Sequence, residues 1–152
     1  MKTPQIINGG LSVDDRGSVK FINDFNFENV KRFYQVQNHR SGFIRAWHGH
    51  VNEGKFVFVP KGSIMISVVN LDAMIELRDV QKSIPVDKIF TTVLSSEKPA
   101  ILQIPNGFAN GFKTLEENTI VQFFSTSKLE DSLNDDIRFE FDLLDVWQER
   151  FR

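Results

Sequence analysis

The 152-residue chain has the length of one domain, and 41% of its residues are hydrophobic, so it can bury a substantial core. It contains fifteen Phe and no Cys, which favours β structure and excludes disulfides and thiolate metal sites. The net charge of −2 indicates no basic surface of the kind that binds nucleic acid. The first ten residues lack a signal-peptide core, and no segment is apolar for long enough to form a membrane helix. We therefore expect a cytoplasmic protein that binds neither nucleic acid nor membranes.

Short runs rich in β-branched and aromatic residues alternate with turn signals along most of the chain. The predicted strands are residues 18–25, 30–37, 43–47, 55–60, 63–70, 88–93, 100–104, 111–114 and 119–126. Within 63–70, Ile64, Ile66 and Val68 share one strand face, which is expected to line a barrel interior. The segment 130–152 is more helical in character, and its apolar residues at 143–147 are expected to pack a short helix across the barrel. Many short, closely spaced strands predict a single all-β domain, either a sandwich or a barrel.

Two of the three histidines fall in the run 42–50, which reads GFIRAWHGH. Residues two apart on a strand face the same side, so His48 and His50 can both point into a barrel. Together with Lys55 and Gly62, this spacing resembles the first motif of the cupins, which are double-stranded β-helix (jelly-roll) barrels. In metal-binding cupins, two His and a Glu of this motif bind the ion, and Lys55 stands at the place of the Glu.

A second segment, PNGFANGF at 105–112, resembles the second cupin motif, with Asn110 at the place of a metal-binding His. The ammonium group of Lys55 repels a divalent cation, and the neutral amide of Asn110 is a poor ligand for transition metals. We therefore expect a site without metal or other cofactor, which performs acid–base chemistry rather than dioxygen chemistry.

Several segments are similar to the dTDP-4-dehydrorhamnose 3,5-epimerases and together cover most of the chain. The family's RGLH motif is matched by RAWH at 45–48, and its KLV by KFV at 55–57. Residues 105–112 match the family's P-X-GFAHGF motif, and DDRG at 14–17 matches its D-X-RG motif. In the same way, QNH at 37–39 resembles the family's QDNH, and IRF at 137–139 resembles its IRW. The resemblance predicts an epimerase that acts on a nucleotide-linked 4-keto-6-deoxyhexose in surface polysaccharide biosynthesis.

The family's site residues carry over to matching positions of this sequence. The resemblance implies that His48 is the base, that Lys55 and Arg45 stabilise the enolate, and that a carboxylate orients His48. Glu140 is the first choice for that carboxylate, and Asp142 is the second. The residues implied to bind the substrate are Arg16 and Gln37 or Asn38 at the nucleotide end, with His50, Asn110 and Trp47 around the sugar. Burial of Trp47 away from the sugar is an equally open interpretation.

The acid of the epimerases is a tyrosine, and Phe124 stands where that tyrosine is expected. Phe cannot transfer a proton. The sequence therefore favours epimerisation at one carbon over epimerisation at two. The only tyrosine, Tyr34, is a weak candidate for the acid.

The sequence also resembles the dTDP-4-keto-6-deoxyhexose 3,4-ketoisomerases, whose RGGHAH corresponds to residues 45–50 and whose IKRVY corresponds to 30–34. Other hypotheses are a cupin that binds sugar nucleotides without catalysis and, less favoured, a metal-dependent oxygenase. Both resembling families form homodimers by strand exchange near the N-terminus. A homodimer is therefore expected here, with Arg16 reaching the partner's site.

Overall fold

The computed structural model describes residues 3–149 and has the predicted all-β architecture. In this part of the chain, the strands are β1 Gln5–Asn8, β2 Gly10–Asp14, β3 Gly17–Phe21, β4 Arg32–Gln37, β5 Ile44–His50, β6 Lys55–Lys61, β7 Ser63–Asn70, β8 Phe90–Ser95, β9 Ala100–Ile104, β10 Phe108–Thr114, β11 Ile120–Ser125 and β12 Asp136–Arg138. The helices are α1 Leu71–Val80 and α2 Leu129–Leu133, and a single 3₁₀ turn spans Val86–Lys88. Each of the nine predicted strands overlaps an observed one.

Two five-stranded antiparallel sheets form the barrel. Sheet 1 has the strand order β1-β9-β6-β11-β4, and sheet 2 has the order β12-β5-β10-β7-β8. The hairpin β2-β3 stands apart from both sheets. Because sequential neighbours such as β5 and β6 lie in different sheets, the chain crosses repeatedly from one wall to the other, as in a jelly roll. The cupin-type barrel predicted from the sequence is confirmed.

The core lies between the two sheets. Ile64, Ile66 and Val68 point into it, as their alternation predicts. The opposite face of the same strand, which includes Met65 and Val69, packs in a second apolar cluster on the outer side of sheet 2. The inner cluster comprises Val57, Val59, Ile64, Ile66, Val68, Leu94, Leu102, Ile104, Phe112, Val121 and Phe123. A strand that is buried on both faces reads as a nearly continuous apolar run, which explains the composition of β7.

Helix α1 covers the outer side of sheet 2 and was not predicted. It begins directly after β7, where the side chain of Asn70 accepts a hydrogen bond from the backbone N–H of Ala73 at 3.1 Å. That N-cap satisfies one of the free donors of the first turn. Leu71 and Met74, three residues apart, are both buried against the second cluster.

The short helical segment predicted within 130–152 is confirmed by α2, which lies at its start, whereas the apolar residues at 143–147 are not helical and form a turn and irregular backbone. The indole of Trp47 donates to the carbonyl of Leu144 at 3.3 Å, and that of Trp147 donates to the carbonyl of Phe141 at 3.2 Å. Carbonyls that a helix would use in its own ladder are instead bonded to two buried indoles, whose rings lie 5.1 Å apart.

Among residues 3–149, no helix is both long enough and apolar enough to cross a membrane.

Candidate active site

A cavity of about 230 Å³ opens between the two sheets and is lined by more polar than apolar residues. Sheet 2 contributes one wall, and sheet 1 contributes the facing wall. The lining residues are Tyr34, Val36, Arg45, His48, His50, Lys55, Asn110, Phe112, Phe123, Ser132, Leu133, Asp136 and Arg138. Five of the ten site residues predicted from the sequence therefore share one pocket: Arg45, His48, His50, Lys55 and Asn110.

His48 and His50 point into the pocket from β5 because they are two residues apart. Arg45, three residues before His48, would face away on a regular strand. The register of β5 on β10 shifts at this point, since Asn110 pairs with His48 while Phe112 pairs with Arg45. Two residues of β5 therefore oppose one residue of β10, and this bulge turns Arg45 to the side of His48. Gly111 is the residue opposite the bulge, where a Cβ would lie 2.4 Å from the Cβ of Ala46.

The carboxylate next to His48 is Asp136, and the prediction of Glu140 is corrected. The Nδ1 atom of His48 lies 3.8 Å from Oδ1 of Asp136, whereas Glu140 is exposed and does not line the pocket. Asp142 is exposed as well. The reason is the pairing of β12 with β5, which places Arg138 opposite His48 and Asp136 opposite His50. Asp136 and Arg138 thus face the pocket, and Glu140 lies beyond the end of the strand.

Two opposing influences set the electrostatics of His48. Burial, followed by the positive charge of Lys55, lowers its pKa, while the charge of Asp136 raises it. Burial alone would raise the pKa of Asp136, but a 2.7 Å hydrogen bond from Arg138 and the nearby positive charges lower it. His48 is therefore neutral at physiological pH, and Asp136 is ionised.

Lys55 lies on β6, in the wall that faces His48, and is only 7% exposed. Burial lowers its pKa, and the nearby carboxylates of Glu53 and Asp136 partly restore it. Its Nζ atom lies 5.9 Å from the centre of the Phe123 ring. A cation held in an apolar, largely enclosed wall interacts strongly with any negative charge that develops in the pocket.

Asn38 holds Arg45 and does not line the pocket, so its contact with the nucleotide stays a prediction. Its Oδ1 accepts from Nε of Arg45 at 2.7 Å, and its Nδ2 donates to the carbonyl of Phe43 at 3.3 Å. Gln37, its neighbour, is exposed on the outer face of β4. Asn110, which does line the pocket, donates to the carbonyl of His48 at 3.4 Å.

Trp47 and Arg16 also lie outside the pocket of this chain. Trp47 is fully buried in the outer cluster of sheet 2, so it cannot contact a sugar between the sheets. Arg16 lies just after β2, in the turn of the hairpin, with its side chain 85% exposed and paired with Asp14 at 2.5 Å.

Tyr34 lines the pocket, a position that the sequence suggested only weakly. It lies on β4 directly opposite Phe123 of β11, and the two rings stack with centroids 5.1 Å apart. Burial, followed by the charge of Glu53, raises the pKa of Tyr34 to about 12. Phe124, the expected place of the family's tyrosine, points to the outer face and packs against Phe27. The inward position next to it is occupied by Phe123.

Sequence reasoning missed Asp136, Arg138 and Glu53. The first two form a D-X-R alternation, which on a strand places both side chains on one face. Glu53 had no such signal, because it precedes β6 in a loop. Within residues 3–149, no group of three or more His, Asp or Glu side chains has the arrangement of a metal site.

The family model described as dTDP-4-dehydrorhamnose 3,5-epimerase matches residues 6–147. Among solved structures, the chain is similar to the dTDP-4-dehydrorhamnose 3,5-epimerase of Sulfolobus tokodaii, with 26% identity, coverage of 93% of this chain and 80% of that chain, and a TM-score of 0.71.

The fold is also that of the Bacillus anthracis 3,5-epimerase with TDP and PPi bound, at 23% identity, 95% and 84% coverage, and a TM-score of 0.72. It is likewise that of a 3,4-ketoisomerase from Helicobacter canadensis, at 17% identity, 95% and 96% coverage, and a TM-score of 0.66. A search of curated proteins found no match. The family model spans nearly the whole chain, and the chain therefore belongs to the dTDP-4-dehydrorhamnose 3,5-epimerase family, whose members are isomerases of dTDP-sugars.

Proposed function

We propose that this chain epimerises a dTDP-linked 4-keto-6-deoxyhexose at a carbon next to the ketone. The observation that carries the proposal is the placement of a neutral His48 beside Asp136 on one wall and of the buried cation Lys55 on the facing wall. A hydrogen on a carbon next to a ketone is acidic because the electrons move onto the ketone oxygen. The reaction needs a base with a pKa near neutrality and a positive charge near that oxygen.

His48 acts as the base in this proposal. Asp136 stabilises the imidazolium that forms when His48 takes the proton, and Lys55 with Arg45 stabilises the enolate oxygen. The proton that returns must come from the other face of the sugar ring. Tyr34 is the proposed donor, because it lies in the wall opposite His48 and its raised pKa keeps the hydroxyl protonated over the neutral range.

The proposed assembly is a homodimer of single-domain chains in which the β2-β3 hairpin contacts the second copy. Four apolar side chains of this hairpin are exposed: Leu11, Val13, Val19 and Phe21. Arg16 in the hairpin turn is then proposed to contact the diphosphate in the partner's pocket. Light scattering of the purified protein tests the dimer, and Arg16→Ala should raise KM while leaving kcat nearly unchanged. The proposed setting is surface polysaccharide biosynthesis in the cytoplasm.

The test of the reaction is proton NMR of the protein with dTDP-4-keto-6-deoxyglucose in deuterated water. We expect deuterium to replace hydrogen at a carbon next to the ketone, and we expect His48→Ala to abolish this exchange. A product with a displaced carbonyl would instead identify a 3,4-ketoisomerase. Binding of the sugar nucleotide without any exchange would identify a binding protein, and either result would overturn the proposal.

A further inference from the structure

Glu53 is a fully buried carboxylate that the proposed mechanism does not use. Its side chain is 0% exposed, and partners from four elements surround it. Its Oε1 accepts hydrogen bonds from Ser125 of β11 and from Arg32 of β4, the latter at 3.1 Å. Its Oε2 accepts from Ser132 of α2 at 2.9 Å and lies 3.1 Å from Nε2 of His50. These partners satisfy the hydrogen-bonding capacity of a carboxylate that has no access to solvent.

His50 connects this carboxylate to the catalytic pair. Its Nε2 atom lies 3.1 Å from Glu53 and 3.8 Å from Oδ1 of Asp136. The same Oδ1 atom lies 3.8 Å from Nδ1 of His48. One oxygen of Asp136 therefore lies equally far from both histidines, and the nearest carboxylate to Nε2 of His50 is that of Glu53.

The surroundings of His50 favour Glu53 as the holder of the Nε2 proton. The charged groups that face His50 are Glu53, Asp135, Asp136 and Lys55. Asp135 lies 3.8 Å from Nδ1 of His50, but its oxygens already accept three hydrogen bonds from the backbone N–H groups of residues 51–53. Nδ1 of His50 is buried and makes no hydrogen bond to the described residues. Because attraction falls with distance, the Nε2 proton is drawn to Glu53 more strongly than to Asp136.

We propose that Glu53 is a positioning residue, which holds His50 in the tautomer protonated at Nε2 and keeps Asp136 available to His48. This inference rests on the proposed role of the His48–Asp136 pair. It differs from a purely structural role of Glu53, in which the carboxylate only ties α2 and the loop 51–54 to the barrel. The two roles differ in what is lost when His50 is already absent.

The first experiment measures the ¹⁵N and ¹³C chemical shifts of the histidine rings in the intact wild-type protein. The chain has three histidines, so His50→Gln assigns the signal of His50 by difference. Protonation at Nε2 is expected between pH 7 and 8, in the absence of substrate. Protonation at Nδ1 would overturn the proposal. This measurement does not depend on turnover, so it remains decisive even if the proposed reaction is wrong.

The second experiment is a double-mutant cycle of Glu53→Gln and His50→Gln, followed by the exchange assay. Glu53→Gln alone should lower kcat about tenfold, the equivalent of one pKa unit of interaction, with KM changed less than about twofold. In the His50→Gln background, Glu53→Gln should cause no further loss. Equal losses in both backgrounds would show a structural role and overturn the proposal.

Two variants keep this cycle interpretable. Glu117→Gln is the matched control, since this exposed glutamate accepts hydrogen bonds from Ser41, outside the pocket. If Glu53→Gln does not fold, Glu53→Asp is measured instead, because it retains the carboxylate. Chemical shifts that show His50 protonated at Nε2 in this variant support the proposal, and shifts that show protonation at Nδ1 contradict it.

Discussion

Replacing Asp136 by Asn removes the negative charge beside His48 with almost no change of volume. Two unit charges at the 3.8 Å separation of His48 and Asp136 attract by about 4 kcal/mol at an effective dielectric constant of about 20 and by about 1 kcal/mol in water. The side chain of His48 is 37% exposed, so solvent screens the pair. We therefore take about 2 kcal/mol, which corresponds to a loss in kcat of about 30-fold.

The pH dependence supplies a second, independent measure of the same substitution. Asp136 raises the pKa of His48 against burial and Lys55, so Asp136→Asn should lower that pKa. The acidic limb of kcat/KM reports the pKa of the base in the free enzyme, and this limb should move to lower pH. The assay is deuterium exchange between pH 5 and 9, with Glu140→Gln as the matched control. An unmoved limb in Asp136→Asn, together with a large loss in Glu140→Gln, would refute the assignment of Asp136.

Three further substitutions test the remaining assignments. Lys55→Met should lower kcat about 100-fold, as the loss of a charge-stabilising donor does. The same substitution replaces a buried ammonium by a thioether, so it should raise the free energy of unfolding at pH 7 by about 1 kcal/mol in urea titrations. The pKa of Lys55 is lowered by folding, so wild-type stability should rise with pH towards the unfolded value of 10.5, and Lys55→Met should remove this rise. Tyr34→Phe should retain exchange by His48 but lower the yield of epimer at least tenfold in the NMR assay, a loss within the usual range for a general acid. Trp47→Phe should leave KM unchanged, whereas Trp47→Ala should lower the free energy of unfolding by about 3–5 kcal/mol, because it empties a fully buried site.

The barrel was predictable because most of its strands carry their own local signal. Residues 63–70 and 100–104 were predicted with the bounds that the structure has. Two of the elements that were missed, β12 and α1, lack such a signal. β12 has three residues, two of them charged, and its pairing with β5 is decided by contacts far away in the chain. Helix α1 follows β7 without a break, and its N-cap Asn70 is the last residue of that strand.

The pocket was predictable where residues lie two apart on one strand, as His48 and His50 do. It was not predictable where register decides. Arg45 faces His48 because of a bulge, and the carboxylate beside His48 depends on which residue of β12 lies opposite β5. A shift of the β12 pairing by two residues would bring Arg138 to the place of Asp136, and the sequence alone does not exclude it.

The position of the only tyrosine limits what the pocket can do. Tyr34 and Phe123 occupy directly opposed positions on neighbouring strands, which lie about 5 Å apart. A tyrosine on β11 would need the position of Phe123 to reach the pocket, so the hydroxyl of Tyr34 is displaced by about one strand spacing from such a donor. The chain has one tyrosine, so we propose that this single displaced donor returns the proton at one carbon. We therefore expect deuterium to enter with inversion at one carbon only. Inversion at both carbons flanking the ketone, retained in Tyr34→Phe, would show that another group returns the proton.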